Sequence, residues 1–223
     1  MLGVTFGISG EARQSAPHDR FREHGLTLLE LCVALAIVMI VASMIFVNAV
    51  TAVRNIRLTQ SATSYANLLQ HARIQAVQDD TYYMVRTNTV TNPPEAFVDL
   101  AQSGTYSAAA ADPLMVFMQG VNPMLFSDGP ALANLESKFL PAAGVATVDT
   151  TDPGPTFGPR GLPCKPTAPS GGTCPYLNAN GIPTSYITFL QNAQSQKWEA
   201  VTVTPAGRIG VWSYDGTNWS PLN

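Results

Sequence analysis

Glu30 is the only Asp, Glu, Lys or Arg between residues 24 and 53, and this isolation defines the chemistry open to it. A charge well inside an apolar membrane-length helix costs roughly 2.5–3.5 kcal/mol on insertion scales, so a residue of this kind is retained for a function and needs a counter-charge. Nothing from Leu31 to Val53 can supply a positive charge. The partner is therefore either the amino terminus of a processed chain or a group on a neighbouring subunit, and the chemistry is ion pairing.

The other reactive side chains are few. Cys164 and Cys174 are separated by nine residues, and in an exported domain such a pair most simply closes a disulfide worth roughly 2–3 kcal/mol. A zinc site is the weaker reading, because there is no Cys-x-x-Cys and His71 is the only histidine after residue 25. Cys32 lies within the uncharged run and reads as a small apolar side chain. Any Ser-His-Asp or Cys-His arrangement would have to recruit His71. Its place between Gln70 and Ala72 favours a surface or domain-contact role. There is no Gly-rich phosphate loop, His-Glu-x-x-His or EF-hand pattern. Asp99, Asp112, Asp128 and Asp152 lack the spacing of a calcium loop and are expected on solvated surface. Neither a cofactor nor a metal is expected, and the chain does not read as an enzyme.

Nucleic acid is an unfavoured partner. After residue 25 the chain keeps nine Lys plus Arg against twelve Asp plus Glu, and the basic residues are dispersed rather than gathered into a phosphate-tracking patch. Arg73, Arg86 and Arg208 are the three that folding could still bring to one face.

The elements that must position these residues begin with the uncharged run. Residues 31–53 number 23, and a helix of that length, at 1.5 Å per residue, is about 34 Å long, enough to cross a hydrocarbon core. A single span is expected. A cleaved secretory signal is the rival, but its apolar region is about 7–15 residues and ends at a small-residue site, whereas this run continues into more helical sequence. The first 25 residues mix Gly, Pro and both signs of charge without apolar periodicity, and read as a leader. Arg20 and Arg22 before the run and Arg54 and Arg57 after it leave orientation open by the positive-inside rule.

Beyond the run, Leu58, Ala62, Tyr65, Leu69, Ala72 and Ala76 recur at steps of four and three, which is one face of a helix. Arg57, Gln60, Ser64, Asn67, Gln70 and Arg73 take the other side. Asp79 and Asp80 are unfavourable at the negative end of the helix dipole and mark its stop. One helix over 26–79 would be about 80 Å long. A coiled coil is the alternative, but under three heptads and no flanking complementary charges favour packing on the chain's own domain.

After the helix the period changes to two. Residues 82–90, 114–118, 186–190, 198–204 and 208–214 are short, rich in β-branched and aromatic residues, and bounded by turn formers, which predicts strands. The last two form a hairpin through Pro205-Ala206-Gly207, with Gly at the position that can take positive φ. Asp215-Gly216 supplies a further turn that lets Trp219 fold back on the sheet. Ile209 and Val211 point one way and Trp212 and Tyr214 the other, so both faces are apolar. The helix would cover one face, and the other needs a loop or another subunit. Trp198, Trp212, Trp219 and Tyr214 could form a partner patch, but core is the favoured reading. Twelve of the 23 residues over 153–175 are Pro or Gly, so no regular element is expected there.

The run Gly25-Leu26-Thr27-Leu28-Leu29-Glu30-Leu31 resembles the processing motif of type IV pilins and type II secretion pseudopilins. The resemblance implies cleavage between Gly25 and Leu26 by a membrane-embedded prepilin peptidase and methylation of the new amine. Glu30 would then be the fifth residue of the mature chain, pairing with the N-terminal amine of an adjacent subunit. Leu26 stands where the family most often has Phe, and the first 25 residues are long and carry no formal net charge. An internal start would shorten that leader without altering the mature protein. Ala72-Arg73-Ile74-Gln75-Ala76-Val77 and Val203-Thr204-Pro205-Ala206-Gly207-Arg208-Ile209 look most like the H-type minor pseudopilins, while the middle from Asn92 to Pro183 resembles nothing comparable.

The resemblance implies an α+β, pilin-like fold. A leader (1–25), a transmembrane half of the stem helix (26–53) and an amphipathic periplasmic half (54–80) would precede a β-rich domain (81–223). The implied function is structural: an inner-membrane subunit with a periplasmic C-terminal domain, assembling with other pseudopilins or pilins on a secretion or pilus platform into a periplasmic filament. A minor type IV pilin is the neighbouring reading, and a membrane-anchored exported enzyme or ligand-binding domain is the reading of another class.

Overall fold

The computed structural model describes residues 27–124, 129–140, 147–149, 154–168 and 170–222, with the side chains at 44, 45, 47, 48 and 147–149 outside that set. It divides into two compact units, Met1–Ile45 and Phe46–Asn223.

Helix α1 (Leu28–Gln78) starts where Thr27 can cap it. The Thr27 carbonyl accepts from the Leu31 amide at 3.1 Å, and its hydroxyl accepts from the Glu30 amide at 3.2 Å, satisfying donors that have no partner inside the helix. At the other end Asp80 takes a left-handed φ of 49°, so the helix stops where the acidic pair predicts. In the first unit every described position from 27 to 43 is exposed. In the second unit Leu58, Ala62, Tyr65, Leu69, Ala72 and Ala76 are all buried, the face expected from their spacing.

The strands in chain order are β1 (Tyr83–Asn88), β2 (Glu95–Asp99), β3 (Leu114–Val116), β4 (Val121–Met124), β5 (Thr147–Asp149), β6 (Thr156–Phe157), β7 (Thr184–Asn192), β8 (Trp198–Val203), β9 (Ile209–Tyr214) and β10 (Trp219–Pro221), with helix α2 (Leu132–Phe139) between β4 and β5. One sheet runs β3-β2-β1-β6 and the other β10-β9-β8-β7-β4. All these pairings are antiparallel; β5 alone lies parallel to β7. The fold is α+β and pilin-like, a helix followed by antiparallel sheets.

Both sheets contribute to the core under α1. Val85, Ala96 and Val98 approach from the first, with Phe117 just after β3, and Tyr186, Leu190, Val201 and Val203 from the second. The opposite face of the second sheet has its own core, where Phe189, Ala200 and Trp219 meet Leu135 and Phe139. That face was expected to need a loop or another subunit; helix α2 of the same chain covers it. Trp198, Trp212 and Tyr214 pack against this cluster, and the Trp219 indole donates to the Pro130 carbonyl at 3.0 Å. Trp219 is core, as favoured, and the other three are partly buried against it.

The β8–β9 hairpin closes through Gly207 at φ 77°, whose amide donates to the Thr204 carbonyl at 2.8 Å. A Cβ at this position would stand 2.6 Å from the carbonyl oxygen of Gly161, so glycine is required by space as well as by φ. Arg73 of α1 donates from Nη1 to the Gly207 carbonyl at 3.0 Å, tying the hairpin to the helix.

The Pro/Gly-rich stretch is a correction to the expectation that it holds no regular element. Thr156 and Phe157, consecutive and neither Pro nor Gly, pair with Met84 and Tyr83, because the edge of β1 offers backbone groups that a two-residue segment suffices to meet. Cys164 and Cys174 form a disulfide with Cα atoms 5.3 Å apart. Cys164 is buried against Tyr82 and Met84, and its carbonyl accepts from the Tyr186 hydroxyl at 2.6 Å. The bridge thus fastens the stretch to both sheets.

Candidate functional site

Thr27-Leu28-Leu29-Glu30 has the spacing of a capping box, in which the residue at the cap and the acid three positions later serve the first turn together. The Thr27 half is formed. Glu30 also lies in the first turn of α1, where a negative charge is favoured by the positive end of the helix dipole. Leu28, Leu29 and Leu31 around it are exposed. Among the described residues no cation forms an ion pair with Glu30, the one such pair being Arg86–Asp99. Gly25 and Leu26, where processing is expected, lie outside the described residues, as does the leader.

The stretch that follows is apolar all round. Val33, Leu35, Ile37, Val38, Met39, Ile40 and Val41 are each exposed, and a helix with this pattern is stable only when something else surrounds it. Among the described residues no helix is long and apolar enough to cross a membrane. The expected span, 31–53, includes residues 44, 45, 47 and 48, whose side chains lie outside the described set.

Elsewhere the residues with possible chemistry are used structurally. His71 is exposed on α1. Arg73 is tied to the Gly207 carbonyl and Arg86 to Asp99 at 2.8 Å, so two of the three cations that could have formed a basic face are engaged. Asp99 and Asp112, expected on solvated surface, are buried. Asp99 accepts from Arg86 Nε and from the amides of Ser103 and Gly104 at 2.8–2.9 Å. Asp112 accepts from the amides of Leu100 and Ser107 at 3.0 and 2.8 Å. These bonds give the carboxylates the donors that burial demands, and they pin the segment between β2 and β3. Asp128 and Asp152 lie outside the described residues.

Glu199 is the site that sequence reasoning missed. It stands on β8 with 4% of its surface exposed, facing α1, and Thr59 donates its hydroxyl to Oε1 at 2.6 Å. Burial pushes its carboxyl up to about 7, against the lowering effects of the Thr59 hydrogen bond and the Lys197 charge. Its Oε2, together with Asn55 Oδ1 and Ser195 Oγ, has no partner among the described residues. Strand alternation contains the signal: Glu199 shares a face with Val201 and Val203, which the helix covers.

The comparisons with known proteins bear on the helix start. Residues 20–46 match the prokaryotic N-terminal methylation motif, the signal of type IV pilin-like proteins, and Thr27 and Glu30 fall within the matched range. No curated protein and no solved structure matches the chain.

Proposed function

We propose that the chain is a structural minor pseudopilin, processed by prepilin peptidase between Gly25 and Leu26 and assembled into a periplasmic filament for type II protein secretion. The observation that carries this reading is the methylation motif over 20–46 with Glu30 as the one charge in its apolar part. Residues 31–53 would anchor the subunit as a single span in the inner membrane, with the β-rich unit periplasmic. There Glu30 meets the N-terminal amine of an adjacent subunit, and the two charges remove each other's cost in the apolar medium. The exposed apolar stretch from Leu28 onward supports this, since neighbouring stems and lipid would cover side chains that are exposed among the described residues. No catalysis and no cofactor are assigned to the subunit, and nucleic acid is not its partner.

The motif is common to minor type IV pilins, which makes a pilus subunit the second reading; genes adjacent to this one, for a secretion platform or for a pilus, separate the two. Glu30→Leu tests what they share. A filament subunit with this change inserts but fails to assemble, whereas an exported enzyme or binding domain on a simple anchor tolerates it. Normal assembly of the variant would overturn the proposal. Mass spectrometry of the membrane fraction is expected to find a chain beginning at methylated Leu26, and an intact Met1 would contradict the processing step.

A further inference from the structure

A cleft of about 320 Å³ opens between the outer face of the β1–β2 pair and the turn that follows β2, with Arg86, Asn88, Phe97, Gly104 and Tyr106 on its walls. Its volume is that of a small-ligand site at the lower end of the usual range.

The polar groups left over in this cleft are donors. Arg86 commits Nε to Asp99, and Nη2 meets only the Met84 sulfur at 3.9 Å. Nη1 has no acceptor among the described residues. Asp99 is buried and already accepts from two backbone amides, so it locks the guanidinium without covering its outer edge. Asn88 uses Oδ1 to accept from the Val90 amide at 3.1 Å, which leaves its Nδ2 without an acceptor among the described residues. Beside these donors Phe97 and Tyr106 meet edge-on at 5.8 Å and 70°, and Tyr106 keeps 44% of its surface exposed.

The register limits the charge that fits. Arg86 lies opposite Phe97, and Asn88 lies opposite Glu95, so a carboxylate of the protein stands beside the far end of the cleft. A ligand with one delocalised negative charge at the Arg86 end avoids Glu95, while a doubly charged phosphate is disfavoured by it. We propose that this cleft binds the carboxylate end of a short chain carrying an apolar or aromatic group, namely the C-terminus of a peptide, with the carboxylate on Arg86, a carbonyl of the chain on the Asn88 Nδ2 and the apolar group against Phe97 and Tyr106.

Calorimetric titration of the full chain in detergent micelles tests this, using N-acetyl-leucyl-phenylalanine, its C-terminal amide and inorganic phosphate, with empty micelles as the blank. The free acid is expected to bind saturably and at least about tenfold tighter than the amide, a difference of about 1.4 kcal/mol, and phosphate is expected not to displace it. Tyr106→Ala and Asn88→Ala should each weaken the acid about threefold or more, while the lost ring contact and turn bond lower the melting temperature by only a few degrees. Arg86 is not the residue to replace, since its loss would strand Asp99 as an unpaired buried charge. Equal binding of acid and amide, no saturable binding of either, displacement by phosphate, or indifference to both variants overturns the proposal. None of these outcomes depends on whether Glu30 serves assembly.

Discussion

Two stretches of α1 share one backbone geometry and have opposite surroundings. From 27 to 43 each described side chain is exposed although nearly all are apolar, whereas over 58–76 a single face is buried and its six expected members belong to a core that both sheets share. The difference lies in how apolar residues are distributed around the helix. A period of 3.6 gives a face that the chain's own strands can cover, and an apolar surface all round leaves the covering to something outside it. One carboxylate beside each stretch, Glu199 on β8 and Glu30 on α1 itself, follows the same division. Glu199 is met by Thr59 of the second stretch at 2.6 Å, and Glu30 of the first has no ion-pair partner among the described residues.

The largest effect that could break this contrast is a pair of equal truncations. Leu69→Ala empties a fully buried site in the core shared by both sheets and should cost about 2–5 kcal/mol. At about 2–4 °C per kcal/mol for a domain of this size, the melting temperature should fall by roughly 4–20 °C. Leu35→Ala removes the same atoms from an exposed position and should leave the melting temperature unchanged within about 1 °C. Tryptophan fluorescence reports the transition, because Trp198, Trp212 and Trp219 all belong to one cluster in the second unit. Similar shifts in the two variants would mean that the first stretch is covered by the chain itself.

A smaller effect tests whether Glu199 is answered as fully as its position implies. Its carboxyl titrates at about 7 in the folded protein against 4.5 for the free group, so between those values the folded state holds the extra proton. Stability from this group is greatest below about 4.5, falls as pH rises to about 7, and is level above that. The loss across the window should be on the order of 2 kcal/mol once residual solvent access is allowed for. Glu199→Gln keeps an acceptor for Thr59 and has no proton to lose. Denaturant unfolding at pH 5 and pH 7.5 should therefore show the wild type losing more stability than the variant, with the variant the more stable at pH 7.5. Parallel losses would show that Glu199 is solvated after all.

The parts of the molecule legible in sequence are those where one short-range pattern decides the outcome. The buried face of α1 follows from spacing, the β8–β9 hairpin from alternation and its turn residues, and the bridging of Cys164 to Cys174 from their spacing in a domain read as exported. Helix α2 was not legible, because it is eight residues long and begins after Ala131 without a side-chain cap, so it carries no start signal. Strand β2 was missed for a related reason. It is five residues long, begins and ends on an acid, and Asp99 at its end reads as a turn residue until Arg86 is seen across the ladder. Glu199 was hidden by the same non-local dependence, since its partner is 140 positions away. At the helix start the motif was legible, but the cap formed by Thr27 was not separated from the role of Glu30.

That separation is also the smallest effect. Thr27→Ala removes the hydroxyl that accepts from the Glu30 amide and should cost about 1 kcal/mol, confined to the first turn. Amide exchange at Glu30 and Leu31 in micelles should quicken about fivefold, Thr27→Ser should restore it, and the unfolding of the second unit should not move. The same variants divide the two accounts of Glu30. A carboxylate that serves only the cap loses its purpose with Thr27, so Thr27→Ala and Glu30→Leu would impair filament assembly alike. A carboxylate that meets the amine of a neighbouring subunit keeps that contact when the turn frays by about 1 kcal/mol. Thr27→Ala would then assemble and Glu30→Leu would not, which is the outcome expected if the first stretch of α1 is answered from outside the chain.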